Sequence, residues 1–130
     1  MLKWSIRCLA VLAAIAAPLT VAAQDYPNRP VVLVSPFPPG GSVSLVARIV
    51  AEKMGETLGQ SIVVENRGGA GGTIGVRTVA KSPPDGYTLL LGYTGTLAIG
   101  PSMYPNAGFD PRKDFAPVGR IGTEIGRAHV

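Results

Sequence analysis

Twice in this chain a short β-branched run stops at a glycine-rich turn and gives way to apolar residues spaced three and four apart. Val31-Val32-Leu33-Val34-Ser35 has no polar break, as suits a strand covered on both faces of a parallel sheet. Pro36-Phe37-Pro38-Pro39-Gly40-Gly41 ends it: prolines stiffen the turn, and two glycines permit backbone angles other residues avoid. Ile62-Val63-Val64-Glu65 repeats the run, and Asn66-Arg67-Gly68-Gly69-Ala70-Gly71-Gly72 repeats the turn. A parallel pair needs a crossover of this kind, so the repetition fixes the fold class as α/β with a parallel sheet.

The segments between the turns fit helices. Val43, Val46, Ala47, Val50, Met54 and Leu58 form one apolar face of a first helix, with Ser42 as the expected N-cap and Gly59 as its stop. Thr73 is the expected cap of a second helix through Ile74, Val76, Val79 and Ala80, which Pro83-Pro84 ends. Asp85-Gly86 then turns the chain into a third strand over Tyr87 to Tyr93. Beyond it the spacing predicts a short helix between Leu97 and Met103, interrupted at Gly100-Pro101. A proline- and glycine-rich loop from Tyr104 to Asp114 and a further strand over Phe115 to Ile121 complete the expectation.

The amino terminus reads differently. Lys3 and Arg7 precede an apolar run from Cys8 to Ala17, and Val21-Ala22-Ala23 supplies small residues after a break at Pro18. That order is a secretory signal over residues 1–23, with cleavage expected after Ala23 and export to the periplasm. The run is shorter than the ~20 residues a membrane anchor requires. Arg7 beside Cys8 also spoils the context of a lipid-modified cysteine. Cleavage removes two of the 12 cations, so the net charge of +4 falls to +2. The remaining cations are scattered without aromatic interleaving, which argues against a nucleic-acid partner. It also removes the single cysteine, so the mature chain has neither a disulfide nor a thiolate metal site.

On a parallel sheet both glycine-rich turns lie at the carboxyl edge, where open α/β folds bind ligands. A helix start carries unpaired N–H groups and the positive end of the dipole, so two of them side by side suit a carboxylate. Thr94-Gly95-Thr96, after the third strand, would add hydroxyls. A nucleotide fits less well. Gly69-Ala70-Gly71 opens like a dinucleotide fingerprint, but the third glycine falls at Gly75, one position late, and neither turn ends in Gly-Lys-Ser or Gly-Lys-Thr. No catalytic residue is expected, because the only histidine, His129, stands far from Ser42, Ser44 and Thr73. No acidic pair has metal-ligand spacing, and Asp110 and Asp114, with Pro111 between them, read as a solvated loop. No cofactor is expected. Arg48 and Arg67 are candidates to reach a ligand carboxylate or to pair with nearby acids, Arg67 being the better placed.

These pieces come in a recognisable order. Tyr26-Pro27-Asn28-Arg29-Pro30, Pro36-Phe37-Pro38-Pro39-Gly40-Gly41, Ala47-Arg48, Leu58-Gly59-Gln60, Val64-Glu65-Asn66-Arg67, Gly69 to Gly75, Pro84 to Leu89 and Asp114 to Val118 follow one another. Together, from Tyr26 to Ile121, they resemble the Bug family of extracytoplasmic solute receptors, the binding components of tripartite tricarboxylate transporters. The resemblance implies a periplasmic-binding-protein-like lobe of type II, spanning residues 24–123 here. It also implies a hinged receptor that closes on a small organic carboxylate and delivers it to membrane permease subunits. The ligand class would be a di- or tricarboxylate, an amino acid or an aromatic acid. It assigns the carboxylate to Phe37, Pro39, Gly40, Gly41 and Ser42 of the first loop and Gly69, Ala70 and Gly71 of the second. Thr94 and Thr96 join them from the strand–turn argument.

Two departures from that pattern stand out. Ser44 occupies a position where the family usually has an aspartate, and the resemblance implies a second lobe of comparable size, before which this sequence ends. Residues 124–130, Glu124 to Val130, match the translation of a sequencing adapter and are expected to be a non-native tail. A lone lobe is expected to be marginally stable and to bind weakly. Two other readings are a secreted α/β enzyme with catalytic residues in the missing C-terminal part, and a receptor that presents its ligand to a sensor.

Overall fold

The computed structural model describes residues 26–123; the expected export signal and tail lie outside the described residues. Strand β1 (Val31–Ser35) lies between β2 (Ile62–Asn66) and β3 (Thr88–Leu90), and both pairings are parallel. The register sets Leu33 beside Val64 and Leu89, and Ser35 beside Asn66. Val31, Leu33, Val34 and Ser35 are all buried, as an unbroken apolar run in a central strand requires. β3 is shorter than the expected Tyr87 to Tyr93. Leu91 still donates its N–H to the Val34 carbonyl (2.9 Å), but Pro36, two residues on, has no N–H for the next rung.

Helix α1 (Ser42–Leu58) crosses from β1 to β2 and seats its small residues on the sheet. Ser44, Ala47 and Ala51 are buried, and Ala47 and Ala51 join Leu33 and Leu91 in the core with Val43, Val50, Ile62, Val64 and Leu89 around them. The expected apolar face is therefore partly displaced: Val43, Ala47 and Val50 pack on the core as expected, but two of its members do not. Val46 and Leu58 are more than a third exposed, and Leu45 and Ile49 more than half, because side-chain size as well as apolarity decides which stripe approaches a sheet closely. Gly59 ends the helix in a left-handed conformation, φ +66°, its N–H bonded to the Gly55 carbonyl.

A single tight turn over Ala70–Gly72 leads into α2 (Thr73–Ala80), whose Val76 is fully buried. Neither helix is capped as expected. Gly41 and Gly72, not Ser42 and Thr73, hold the N-cap positions, and neither start has a side-chain cap. After β3, a π-helical turn over Gly95–Ile99 runs on into α3 (Gly100–Met103). Gly100-Pro101 does not interrupt this helix: Pro101 sits in its first turn, where the missing N–H has no partner to lose.

The strand expected over Phe115 to Ile121 does not form. The segment pairs with neither edge of the sheet, Pro117 removes a donor, and Val118 is exposed. Before it, Asp110 and Asp114 close a turn: the Asp114 carboxylate accepts from the Asp110 N–H, and the Asp110 carboxylate accepts from the Arg112 N–H (2.9 Å). At the amino edge of the sheet, Arg29 pairs with Asp85 (2.8 Å) and lies over the Tyr87 ring. Tyr26 Oη donates to the Gly86 carbonyl. The motifs around Tyr26 and Asp85 thus latch the lead-in segment to the start of β3.

Candidate functional site: three loops at the carboxyl edge

The loops after β1, β2 and β3 meet because glycine removes the side chains that would hold them apart. A Cβ on Gly68 would lie 2.9 Å from the Pro38 ring, and one on Gly75 would lie 2.6 Å from the Arg67 carbonyl oxygen and 3.0 Å from Pro36 Cα. One on Gly72 would strike the Thr96 methyl and the Pro36 carbonyl. The third loop closes on the first through Phe37 and Tyr93, whose rings meet edge to face at 5.5 Å. Tyr104, beyond α3, lies over Gly71.

Within this frame the chain turns through left-handed conformations at Gly40, Gly69, Gly71 and Gly72. Ala70 shares the region at φ +48°, the one non-glycine residue to do so among the described residues, and such a placement costs an alanine roughly 1 kcal/mol. Local strain of this kind gathers at sites that bind. Gly40 faces open space, since a Cβ there would meet nothing within 4 Å, and a Cβ on Gly41 would meet only the Pro38 carbonyl oxygen, at 4.0 Å.

The electrostatics follow from the helix starts. Neither α1 nor α2 has an acidic residue in its first turn or a side-chain cap, so both positive dipole ends are uncompensated at this edge. No cationic side chain lies in residues 36–42 or 68–73. Arg67, which borders the second loop, is committed to Glu65, with Nε and Nη2 at 2.8 and 2.7 Å from Oε2. Arg48 stands elsewhere, with Glu52, Gly59 and Gln60, in a groove of about 640 Å³ between α1 and the start of β2. The two loops thus present uncapped helix starts and the exposed Ser42, with no cationic side chain within them.

Of the residues expected at the site, Pro39, Gly40, Gly41, Ser42, Gly69, Ala70, Gly71 and Thr94 are exposed at the loops, and Phe37 is half-buried against Tyr93. Thr96 is buried: its hydroxyl donates to the Tyr93 carbonyl (2.9 Å) and its methyl packs on Gly72, so it supports the loops from beneath. Sequence reasoning missed Asn66, Tyr93 and Tyr104. Asn66 ends β2 and donates from Nδ2 to the Phe37 carbonyl (3.0 Å) and to Ser44 Oγ (3.1 Å). Its place between a strand and a glycine turn was the available signal.

A parallel sheet with crossover helices and three converging loops at its carboxyl edge is a lobe of a periplasmic-binding-protein-like fold. The family model described as "Tripartite tricarboxylate transporter family receptor" matches residues 46–125, and the chain belongs to that family. It is 46% identical to protein BugT of Bordetella pertussis over 123 residues, 89% of this chain and 37% of BugT. Among solved structures it is similar to the periplasmic binding protein BugD, with 52% identity and a TM-score of 0.70 over 72% of this chain and 31% of BugD. It is likewise similar to MatC from Rhodopseudomonas palustris with bound malate, with 44% identity and a TM-score of 0.69 over 72% of this chain and 32% of MatC. The chain thus spans about a third of the length of these relatives.

Proposed function

We propose that this chain is the first lobe of a periplasmic receptor that captures a small carboxylate for a tripartite tricarboxylate-type permease. The observation that carries the reading is the convergence of two uncapped helix starts and a left-handed glycine loop at one sheet edge. The ligand carboxylate is received by backbone groups of Phe37, Gly40, Gly41, Ser42, Gly69, Ala70 and Gly71. Pro39 and Thr94 border them, and Thr96 supports them from below. The protein is exported by residues 1–23, cleaved after Ala23, and releases its ligand unchanged. The malate bound by MatC supports a dicarboxylate as the first ligand to test.

The test is calorimetric titration with malate, succinate, citrate, glutamate and benzoate, and with malamide, which keeps the malate skeleton but lacks its charge. Saturable heat with at least one acid, none with malamide, and recovery of the acid unchanged by NMR are expected. Equal binding of malate and malamide, or chemical conversion of the acid, overturns the reading.

A further inference from the structure

We infer that Asn66 is a positioning residue of the carboxylate site, a side chain that ties the first loop, the start of α1 and the end of β2 together. The inference rests on the reading of this edge as a carboxylate site. Asn66 is the last residue of β2, in register with Ser35, the last residue of β1. Its amide nitrogen donates to the Phe37 carbonyl (3.0 Å), in the loop after β1, and to Ser44 Oγ (3.1 Å), in the first turn of α1. Ser44 is buried, with only 1% of its surface exposed, so this hydroxyl faces the protein and not a ligand.

The geometry explains why the linkage matters. Gly40 faces open space, Gly41 is exposed, and α1 begins with no side-chain cap. The edge-to-face contact of Phe37 with Tyr93 and the close approach of Pro38 to Gly68 steady the near side of the loop. Beyond Pro38 the loop's position relative to the second loop depends on what anchors its two ends. Asn66 holds both ends, the Phe37 carbonyl before Gly40 and Ser44 after it, from a strand residue that itself leads into the second loop. Both sets of N–H donors are thereby referred to one rigid point, which is what preorganised recognition of an anion requires.

The decisive variant is Asn66→Asp, which keeps size and shape but places an oxygen where Nδ2 donates, opposite the Phe37 carbonyl. Ser44→Ala removes one of the two linkages and covers the case in which Asn66→Asp does not fold. Three readouts are taken on the whole protein: the melting temperature, the malate Kd, and hydrogen exchange at the amides of Gly40, Gly41 and Ser42 against those of Leu33 and Val34. Positioning predicts that the loop amides exchange roughly tenfold faster and that malate affinity falls roughly tenfold in Asn66→Asp, while the strand amides hold. Ser44→Ala follows in the same direction with a smaller change. Unchanged loop exchange in both variants overturns the inference, as does unchanged malate affinity. If the parent protein binds no malate, the carboxylate reading fails at that ligand, and the exchange data alone decide whether Asn66 anchors the loop.

Discussion

Gly75→Ala separates close approach from mere turn formation. Gly75 lies inside α2, so its backbone is helical and an alanine there is intrinsically favoured by about 1 kcal/mol. With free space around it the substitution would stabilise the protein. The structure gives it none: the new methyl would lie 2.6 Å from the Arg67 carbonyl oxygen and 3.0 Å from Pro36 Cα, both backbone atoms of the loops that frame the site. Backbone cannot swing aside like a flexible side chain. The overpacking cost therefore falls at the upper end of the usual range, about 3 kcal/mol, and the net change is about 2 kcal/mol of destabilisation. For a domain of this size that is a fall in Tm of roughly 8–16 °C. Gly119→Ala is the control, since a Cβ there meets nothing within 4 Å, and its change stays within about 0.5 kcal/mol. Thermal melts of the three proteins by circular dichroism supply the comparison. A Tm that rises by several degrees in Gly75→Ala would refute the argument that glycine lets the loops meet.

Leu33→Ala, in the central strand against Ala47, Ala51 and Leu91, costs about 3 kcal/mol in urea denaturation, since small neighbours cannot collapse into the void. Ser35→Ala is expected to be neutral or stabilising by about 1 kcal/mol, because Ser35 Oγ is buried with no hydrogen-bond partner among the described residues. Arg29→Ala costs about 1 kcal/mol, the sum of an exposed ion pair with Asp85 and a cation–π contact with Tyr87, and the ion-pair share shrinks in 1 M salt. The Arg112 N–H, with help from Lys113, holds the Asp110 carboxyl below the ordinary aspartate value. A depressed folded pKa stabilises above the unfolded value and is lost as pH falls through the folded one. NMR should accordingly show the 110–114 turn intact above about pH 4 and loosening only at more acid pH.

Strand, turn and helix alternation was legible because each strand and turn carries its own local chemistry. The β-branched run ending at Pro36 is a buried central strand, and Gly59 and Pro83 stop helices where their backbone preferences demand it. What was not legible depends on partners distant in sequence. Which stripe of α1 faces the sheet was settled by the smallness of Ser44, Ala47 and Ala51 and by the Asn66 amide waiting for Ser44, whereas apolar spacing favoured Val46 and Leu58. The run from Phe115 to Ile121 has strand-forming residues, but a strand exists only when a neighbour accepts its backbone bonds. At the site, the glycine turns marked the loops correctly, yet their crossing contacts, Gly75 on Pro36 and Gly72 on Thr96, belong to the assembled fold.

That division bears on how a receptor of this family discriminates among ligands. On the proposed reading, the polar groups that this lobe offers are backbone N–H donors, helix dipoles and the Ser42 and Thr94 hydroxyls, while the Arg67 guanidinium that borders them is paired with Glu65. Such donors read a carboxylate by charge and oxygen geometry, and they treat malate, citrate and benzoate alike at that end of the molecule. Selectivity must then come from groups that meet the rest of the ligand. On this lobe the side chains best placed to do so are Tyr93 and Tyr104, which flank the first and second loops through Phe37 and Gly71. Substituting them should reorder the preference among acids while leaving the requirement for a carboxylate intact, whereas loss of the Asn66 anchor should weaken every acid together.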